Sequence, residues 1–208
     1  MRESKCKICR RLGVKLFLKG ERCFSPKCAL VKKPYPPGKV RRGRKRVSDF
    51  GKELRAKQKL KKWYNLKESQ FKNYVKKVLA KRGRVPDTSE FLIEILERRL
   101  DNVVFRLGFA VSRPQAKQFV SHGHFLINGK KVNIPSYQLK KGDKISLIPG
   151  LEKKGVFRNL ESQLKKEKLP SWLSLDIKKL TGEVVGKPSL QEAAPPVEVP
   201  AIFEFYSK

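Results

Sequence analysis

Acidic residues are scarce in this chain: 19 Asp and Glu stand against 50 Lys and Arg, and the formal net charge is +31. A surface so one-sided repels itself, so the composition points to a polyanionic partner whose charge completes the balance. Long hydrophobic runs are missing too. No stretch approaches the roughly 18 apolar residues of a spanning helix, so among polyanions only an anionic lipid surface competes with nucleic acid. The first residues carry charge with no apolar run behind them, so no signal peptide is read and a cytoplasmic, reducing setting is expected. Histidine is limited to His122 and His124. No glycine-rich phosphate loop or nucleophile motif occurs, so the chain is not expected to be an enzyme and no small-molecule substrate is expected. What the chain does have is apolar content of 39% with twelve Phe, enough for real cores in one large or two small domains.

The positive charge is concentrated at the front. Residues 1–62 hold 23 Lys/Arg and 4 Asp/Glu, whereas residues 182–208 hold 2 Lys/Arg and 4 Glu. All four cysteines lie in this basic front: Cys6, Cys9, Cys23 and Cys28, spaced C-x2-C-x13-C-x4-C. Two close pairs separated by a short loop suit a tetrahedral structural zinc, and four thiolates leave no open position for catalysis. Two disulfides or free thiols are the alternatives, and a reducing setting argues against the disulfides. The intervening LGVKLFLKGER alternates apolar residues and reads as a small hairpin turning at Lys19-Gly20, with the metal supplying stability that so short a segment lacks. Lys5, Lys7, Arg10, Arg11, Arg22 and Lys27 crowd the cysteines. They offset the thiolate charge, and they form a fixed basic array suited to RNA backbone.

Residues 34–46, PYPPGKVRRGRKR, mix prolines and glycines with cations, so the backbone is extended. Arg41, Arg42, Arg44, Lys45 and Arg46 are read as ordered against nucleic acid, the alternative being a solvated linker. Ser48 or Asp49 then caps a helix with Leu54, Leu60 and Trp63 apolar. Phe71, Tyr74, Val75, Val78 and Leu79 recur at helical spacing in a second helix stopped by Gly83. A third begins near Asp87-Thr88 with a stripe of Phe91, Leu92, Ile95, Leu96, Leu100, Val103 and Val104. Gly108 closes it, and Ser112 and Gln115 form an S-x-x-Q capping box for a helix reaching about Ser121. Phe125–Ile127, Asn128-Gly129 and Lys130–Ile134 form a hairpin, since both turn residues accept positive φ. Gly142-Asp143 precedes a further strand. The fold class is therefore α+β: a zinc knuckle, a helical domain and a compact module of two helices plus antiparallel sheet.

In this setting HGH at 122–124 suggests RNA contact or local hydrogen bonding over a second metal or acid–base pair. Asp101, set among arginines, suggests an ion-pairing role over a general base. CKIC, ERCFSPKCA, PYPPG, LERRLDNVVFRLGFAVSRPQAKQFVSHGHFLINGKKVNIPSY, WLSLD and EFYSK together resemble the bacterial small-subunit ribosomal protein S4 family in its zinc-containing form. The resemblance covers most of the chain; residues 182–200 depart from any recognisable pattern. It implies a ribosome-bound structural protein that binds 16S rRNA directly and early in assembly, at the helical junction of the 5′ domain. It also implies small-subunit proteins three and five as neighbours near the mRNA entry channel, an effect on decoding accuracy and, in some members, binding to the messenger of their own operon. RNA contacts carried over from the family fall on Arg98, Arg99, Arg106, Ser112, Arg113, Gln115, Lys117, His122, His124, Asn128, Lys130, Lys131, Ser136 and Tyr137.

Two other readings share the compact module. An RNA-modifying enzyme such as a pseudouridine synthase needs a catalytic domain of well over 100 further residues, which the remaining segments do not supply. A stress-type ribosome-rescue protein needs no four-cysteine knuckle. The expected domains are 1–47, the zinc module and basic linker; 48–97, a helical domain completed by 170–208; and 98–169, the RNA-binding module with its following helix. Trp172, Leu173, Leu175, Phe203 and Phe205 are expected to pack back on the helices of 48–90, which makes the module an insertion.

Overall fold

The computed structural model describes residues 4–38, 47–151, 155, 157–158, 160–164 and 169–207. Arg41, Arg42, Arg44, Lys45 and Arg46 lie outside the described residues. The chain divides into two compact units, Met1–Leu92 with Ala194–Lys208 and Ile93–Ala193. No described helix is long and apolar enough to cross a membrane.

The first unit starts with α1 (Lys5–Leu12), which ends at Gly13 in the left-handed conformation, φ 70°, a turn that favours glycine. A single 3-10 turn over Gly20–Cys23 and the short α2 (Ala29–Lys32) follow. The hairpin expected between the cysteine pairs is absent. Helix α1 takes up the residues before it, and Phe17 sits at φ 51°, which breaks strand geometry while Leu16 and Leu18 on either side are buried.

Helix α3 (Asp49–Trp63) is capped as its sequence requires: Ser48 Oγ accepts the Gly51 N–H at 3.3 Å. It buries Leu60 and Trp63 but also Glu53, Lys57 and Lys61. Helix α4 (Glu68–Leu79) turns Phe71, Val75 and Val78 inward, each fully buried. Helix α5 (Thr88–Glu97) opens with Asp87 Oδ1 accepting the Ser89 N–H at 2.7 Å.

The long third helix expected from the apolar stripe is two helices. Arg99 adopts an extended conformation and serves as N-cap of α6 (Leu100–Arg106). The cause is pairing with a distant segment: Leu139 N–H donates to the Arg98 carbonyl at 2.9 Å, and Arg99 forms an antiparallel bridge with Gln138. Those backbone groups are then lost to helix continuation.

Helix α7 (Arg113–Ser121) carries Pro114 in its first turn. The expected capping box does not form: Ser112 makes no side-chain cap bond, and Gln115 Oε1 accepts the N–H of Val111, the residue before the cap, at 2.9 Å. Strands β1 (Phe125–Ile127), β2 (Lys130–Val132) and β3 (Lys144–Leu147) follow. Asn128 and Gly129 both take positive φ, 49° and 82°, as the two-residue turn demands.

After α8 (Leu160–Leu164) come β4 (Leu173–Asp176), β5 (Thr181–Val184) and α9 (Leu190–Ala193). The antiparallel sheet therefore has five strands in the order β2-β1-β3-β5-β4. β5 joins the edge of β3, Lys144 facing Glu183 and Ile145 facing Gly182. A Cβ on Gly182 would meet Leu107 Cδ1 at 2.4 Å, so α6 ends against β5 only because that position has no side chain. This extension moves Trp172 and Leu173 into the second unit's core beside Leu100, Val103, Phe125 and Ile145, with Leu175 packed against it. Trp172 and Leu173, expected among the helices of 48–90, instead belong to the second unit's buried cluster, and the return to the first unit comes at 194 instead of 170. Helix α10 (Pro200–Ser207) does return: the Phe205 and Phe50 rings stand 5.4 Å apart, and Tyr206 and Phe71 6.3 Å.

Candidate nucleic-acid interface

In the second unit, hydrogen bonds and close packing fix the end of α7, the β1–β2 turn and the loop before β3 as one continuous edge. Asn128 organises it. Its Oδ1 accepts the Lys144 N–H and its Nδ2 donates to Asp143 Oδ1, both at 2.9 Å, while Asp143 Oδ2 accepts the Lys140 N–H at 2.7 Å. Gly123, at the end of α7, lies under the Lys131 side chain so closely that a Cβ there would meet Lys131 Cε at 2.6 Å. The edge thus carries exposed His122, Lys130 and Lys131, together with exposed Lys140, Lys141 and Lys144. The last three carry no motif in the sequence that marks them as interface residues. Their flanking of the Gly142 turn was the available signal.

Other residues implied by the resemblance sit differently. Arg99 is 1% exposed, and its Nε and Nη2 donate to Asp101 Oδ1 and Oδ2 at 3.0 and 2.7 Å. Burial pushes the Asp101 carboxyl up, against the lowering influence of Arg99 and then Lys117. Arg106 forks onto Glu97, 2.9 Å to each carboxylate oxygen, and Asn102 joins the same carboxylate at 2.7 Å. Arg113 is buried, donates to Asn102 Oδ1 at 2.8 Å and lies 4.6 Å from the Phe105 ring centre. Ser112 is buried as well. Arg99, Arg106 and Arg113, which the family resemblance offers as RNA contacts, are thus engaged in a charge and hydrogen-bond network inside the module, and Ser112 is buried beside them in sequence. Asn128 likewise uses both side-chain polar atoms to pin the turn.

The remaining positions are intermediate cases. Arg98 pairs with Glu94 at 3.0 Å and stays 23% exposed. Gln115, Lys117 and Ser136 are half-buried. His124 packs its ring on Phe119 and Phe157 at 5.9 and 5.8 Å, with His122 5.7 Å away. Tyr137 presents its ring to solvent while its carbonyl accepts the Leu100 N–H at 2.9 Å.

In the first unit, Cys6, Cys9, Cys23 and Cys28 are free thiols that line one small cavity of about 20 Å³ with Leu18 and Leu30. Burial pushes the Cys9 thiol up; the Leu16 backbone lowers it, and the other three cysteines raise it further. Among the described residues no group of three or more His, Cys, Asp or Glu is arranged to hold a metal ion. The zinc centre is thus not shown by the geometry, although the donor chemistry converging on the cavity is that of a thiolate metal site. Around it Lys5, Arg11, Arg22 and Lys27 are exposed. Arg10 is half-buried: its Nε donates to the Lys33 and Tyr35 carbonyls at 3.1 and 3.0 Å, and its guanidinium lies 4.9 Å from the Tyr35 ring centre. Helix α4 adds exposed Lys72, Lys76 and Lys77, a second basic face that helical spacing could have revealed.

Not every cation of this unit faces outward. Lys57 and Lys61 are buried and converge on Glu68, Lys57 Nζ at 2.8 Å, and Tyr206 Oη donates to the same carboxylate at 3.0 Å. Burial alone would raise the Glu68 carboxyl, yet the hydrogen bonds from Lys57, Lys61 and Tyr206 lower it to about 2.

The model of the ribosomal protein S4/S9 N-terminal domain matches residues 1–97, and the model of the S4 domain matches residues 98–145. A small ribosomal subunit protein uS4 from Thermosipho melanesiensis is 49% identical over 205 residues, covering 98% of this chain and 96% of the relative. The protein of that name from Thermotoga petrophila is 47% identical over 204 residues, with coverages of 98% and 96%. The one from Syntrophobacter fumaroxidans is 46% identical over 206 residues, with coverages of 99% and 98%. Matched from end to end at this identity, the chain belongs to the uS4 family of small ribosomal subunit proteins.

Proposed function

We propose that the chain is a structural component of the small (30S) ribosomal subunit that binds 16S rRNA directly, nucleating assembly at the 5′ domain. The family is one of ribosomal structural proteins and not an enzyme class. The observation that carries the RNA reading is the continuous edge of His122, Lys130, Lys131, Lys140, Lys141 and Lys144, built on a rigid hairpin and helix end. Fixed cations on a rigid frame neutralise several phosphates at once and so set the angle between RNA helices. Backbone and shape contacts dominate, because the major groove of an RNA duplex is too deep and narrow for side chains to read. The basic faces of α4 and the cysteine module extend the contact, and Arg41, Arg42, Arg44, Lys45 and Arg46 join them. In the assembled subunit the neighbours are small-subunit proteins three and five beside the mRNA entry channel, where the protein contributes to decoding accuracy.

A structural zinc held by Cys6, Cys9, Cys23 and Cys28 belongs to this proposal. The metal would supply the cross-link that a segment with so few buried side chains lacks. Metal analysis of the purified protein gives one zinc per chain, and a value near zero sinks that part alone. For the RNA reading, the protein sediments in stoichiometric amount with intact small subunits and protects the 16S 5′ domain from chemical probing. Sub-stoichiometric recovery with no protected nucleotides would turn the reading toward a transient rescue or modifying factor.

A further inference from the structure

We infer that Phe24 is a stacking platform for one unpaired RNA base, a contact different in kind from the phosphate contacts proposed above and resting on that RNA-binding reading. Phe24 is 74% exposed, an unusual position for a phenyl ring with no polar tip. It is not loose. Its N–H donates to the Glu21 carbonyl at 3.0 Å at the end of the Gly20–Cys23 turn, so its backbone lies between Cys23 and Cys28 in a short, hydrogen-bonded segment. One side of the ring is covered by Phe17, with ring centres 4.8 Å apart and planes 28° off parallel.

Phe17 reaches that place at φ 51°, a conformation that bulky side chains adopt only when their surroundings impose it. Leu16 and Leu18 are buried on either side of it, so the strained residue is the one whose ring supports Phe24 and not the apolar interior. The result is a two-ring stack projecting from the surface with its outer side available to a third flat ring. The rim selects the occupant. Between residues 4 and 38 there are ten Lys/Arg and one acid, Glu21, and Arg22 and Lys27 are exposed on either side of Phe24 in sequence. A base has a π-face and a phosphate attached, and aromatic rings beside cations are how single-stranded nucleic acid is held without base-edge readout. A lipid surface would instead favour an amphipathic helix with an apolar stripe, whereas Phe24 sits just after a 3-10 turn with its ring stacked on Phe17.

The test uses the full-length protein and a transcript of the 16S rRNA 5′ domain. Phe24→Ala weakens binding about tenfold and leaves the slope of log affinity against log salt unchanged, because the ring neutralises no phosphate. Phe24→Trp restores the affinity, and Phe24→Leu, which keeps apolar bulk without a π-face, does not. One unpaired nucleotide loses its protection in Phe24→Ala and regains it in Phe24→Trp. Equal affinity of wild type and Phe24→Ala overturns the inference while leaving the RNA-binding reading intact. So does normal RNA affinity combined with loss of the variant from assembled subunits, which makes the platform a protein contact. Failure of the wild type to bind the transcript overturns the RNA-binding reading itself, and the platform with it. Should Phe24→Ala alter the fold, seen as new protease cleavage within residues 4–38, Phe24→Leu against Phe24→Trp decides.

Discussion

In the second unit a continuous set of side chains from Leu100 to Val184 is withdrawn from solvent, whereas between residues 4 and 38 the buried apolar side chains are Cys9, Leu16, Leu18 and Cys28. The two regions carry the same kind of basic exterior on unequal foundations. The compact module places its cations by folding: a five-stranded sheet, two helices and a buried charge network fix where Lys130 and Lys131 stand. The cysteine segment has half of its buried apolar set made of potential metal ligands. Its basic array is therefore expected to depend on a cross-link, and the module's is not.

Removing that cross-link has the largest expected effect. Structural zinc in small domains contributes on the order of 10–16 kcal/mol. Chelation or Cys9→Ser should therefore expose residues 4–38 to proteases while the melting of the second unit stays where it was. Loss of both together would mean that the two regions do not differ in this way.

Next come the module's own supports. Phe125→Ala removes a fully buried ring packed 5.6 Å from Phe109, and by denaturant titration it should cost about 3–5 kcal/mol. Arg99→Leu leaves the Asp101 carboxylate buried without its partner, at a cost of about 3 kcal/mol, and adding Asp101→Asn should recover part of it. If Arg99→Leu is silent for stability but weakens RNA binding, Arg99 belongs to the interface after all.

The smallest effect on stability lies in the first unit. Glu68 has its carboxyl lowered from 4.5 to about 2 in the folded state. A lowered carboxylate adds stability that is present above its unfolded value near 4.5 and is lost as pH falls from there toward 2. The side chain is 46% exposed, so screening limits the contribution to about 1 kcal/mol. Glu68→Gln should flatten the acid limb of the first unit's stability curve between pH 4.5 and 2 and leave the second unit's unchanged. An acid limb of unaltered steepness in Glu68→Gln would remove Glu68 from the account.

What could be read from sequence follows the range of the forces involved. Ser48 capping α3 and Asn128-Gly129 turning the hairpin are local, and both stand as their residue types dictate. The break at Arg99 is not local, because it depends on pairing with residues 138–139. Nor is the placement of Trp172 and Leu173, which depends on β5 finding the edge of β3 across the chain. Among the basic residues, composition identified the electrostatic character but not its allocation. Arg99 and Arg113 face inward because Asp101 and Asn102 meet them there, while Lys140, Lys141 and Lys144 face outward with no sequence feature beyond a turn to mark them.

The central claim is that the α7–hairpin edge neutralises rRNA phosphates. It is tested most directly by the salt dependence of binding to the 16S 5′-domain transcript, comparing the wild type with the Lys130→Ala, Lys131→Ala double variant. A steep wild-type slope that falls by about 0.9 for each lysine removed is the result predicted. A wild-type slope worth fewer than about two phosphates, or a slope unchanged in the double variant, would contradict it.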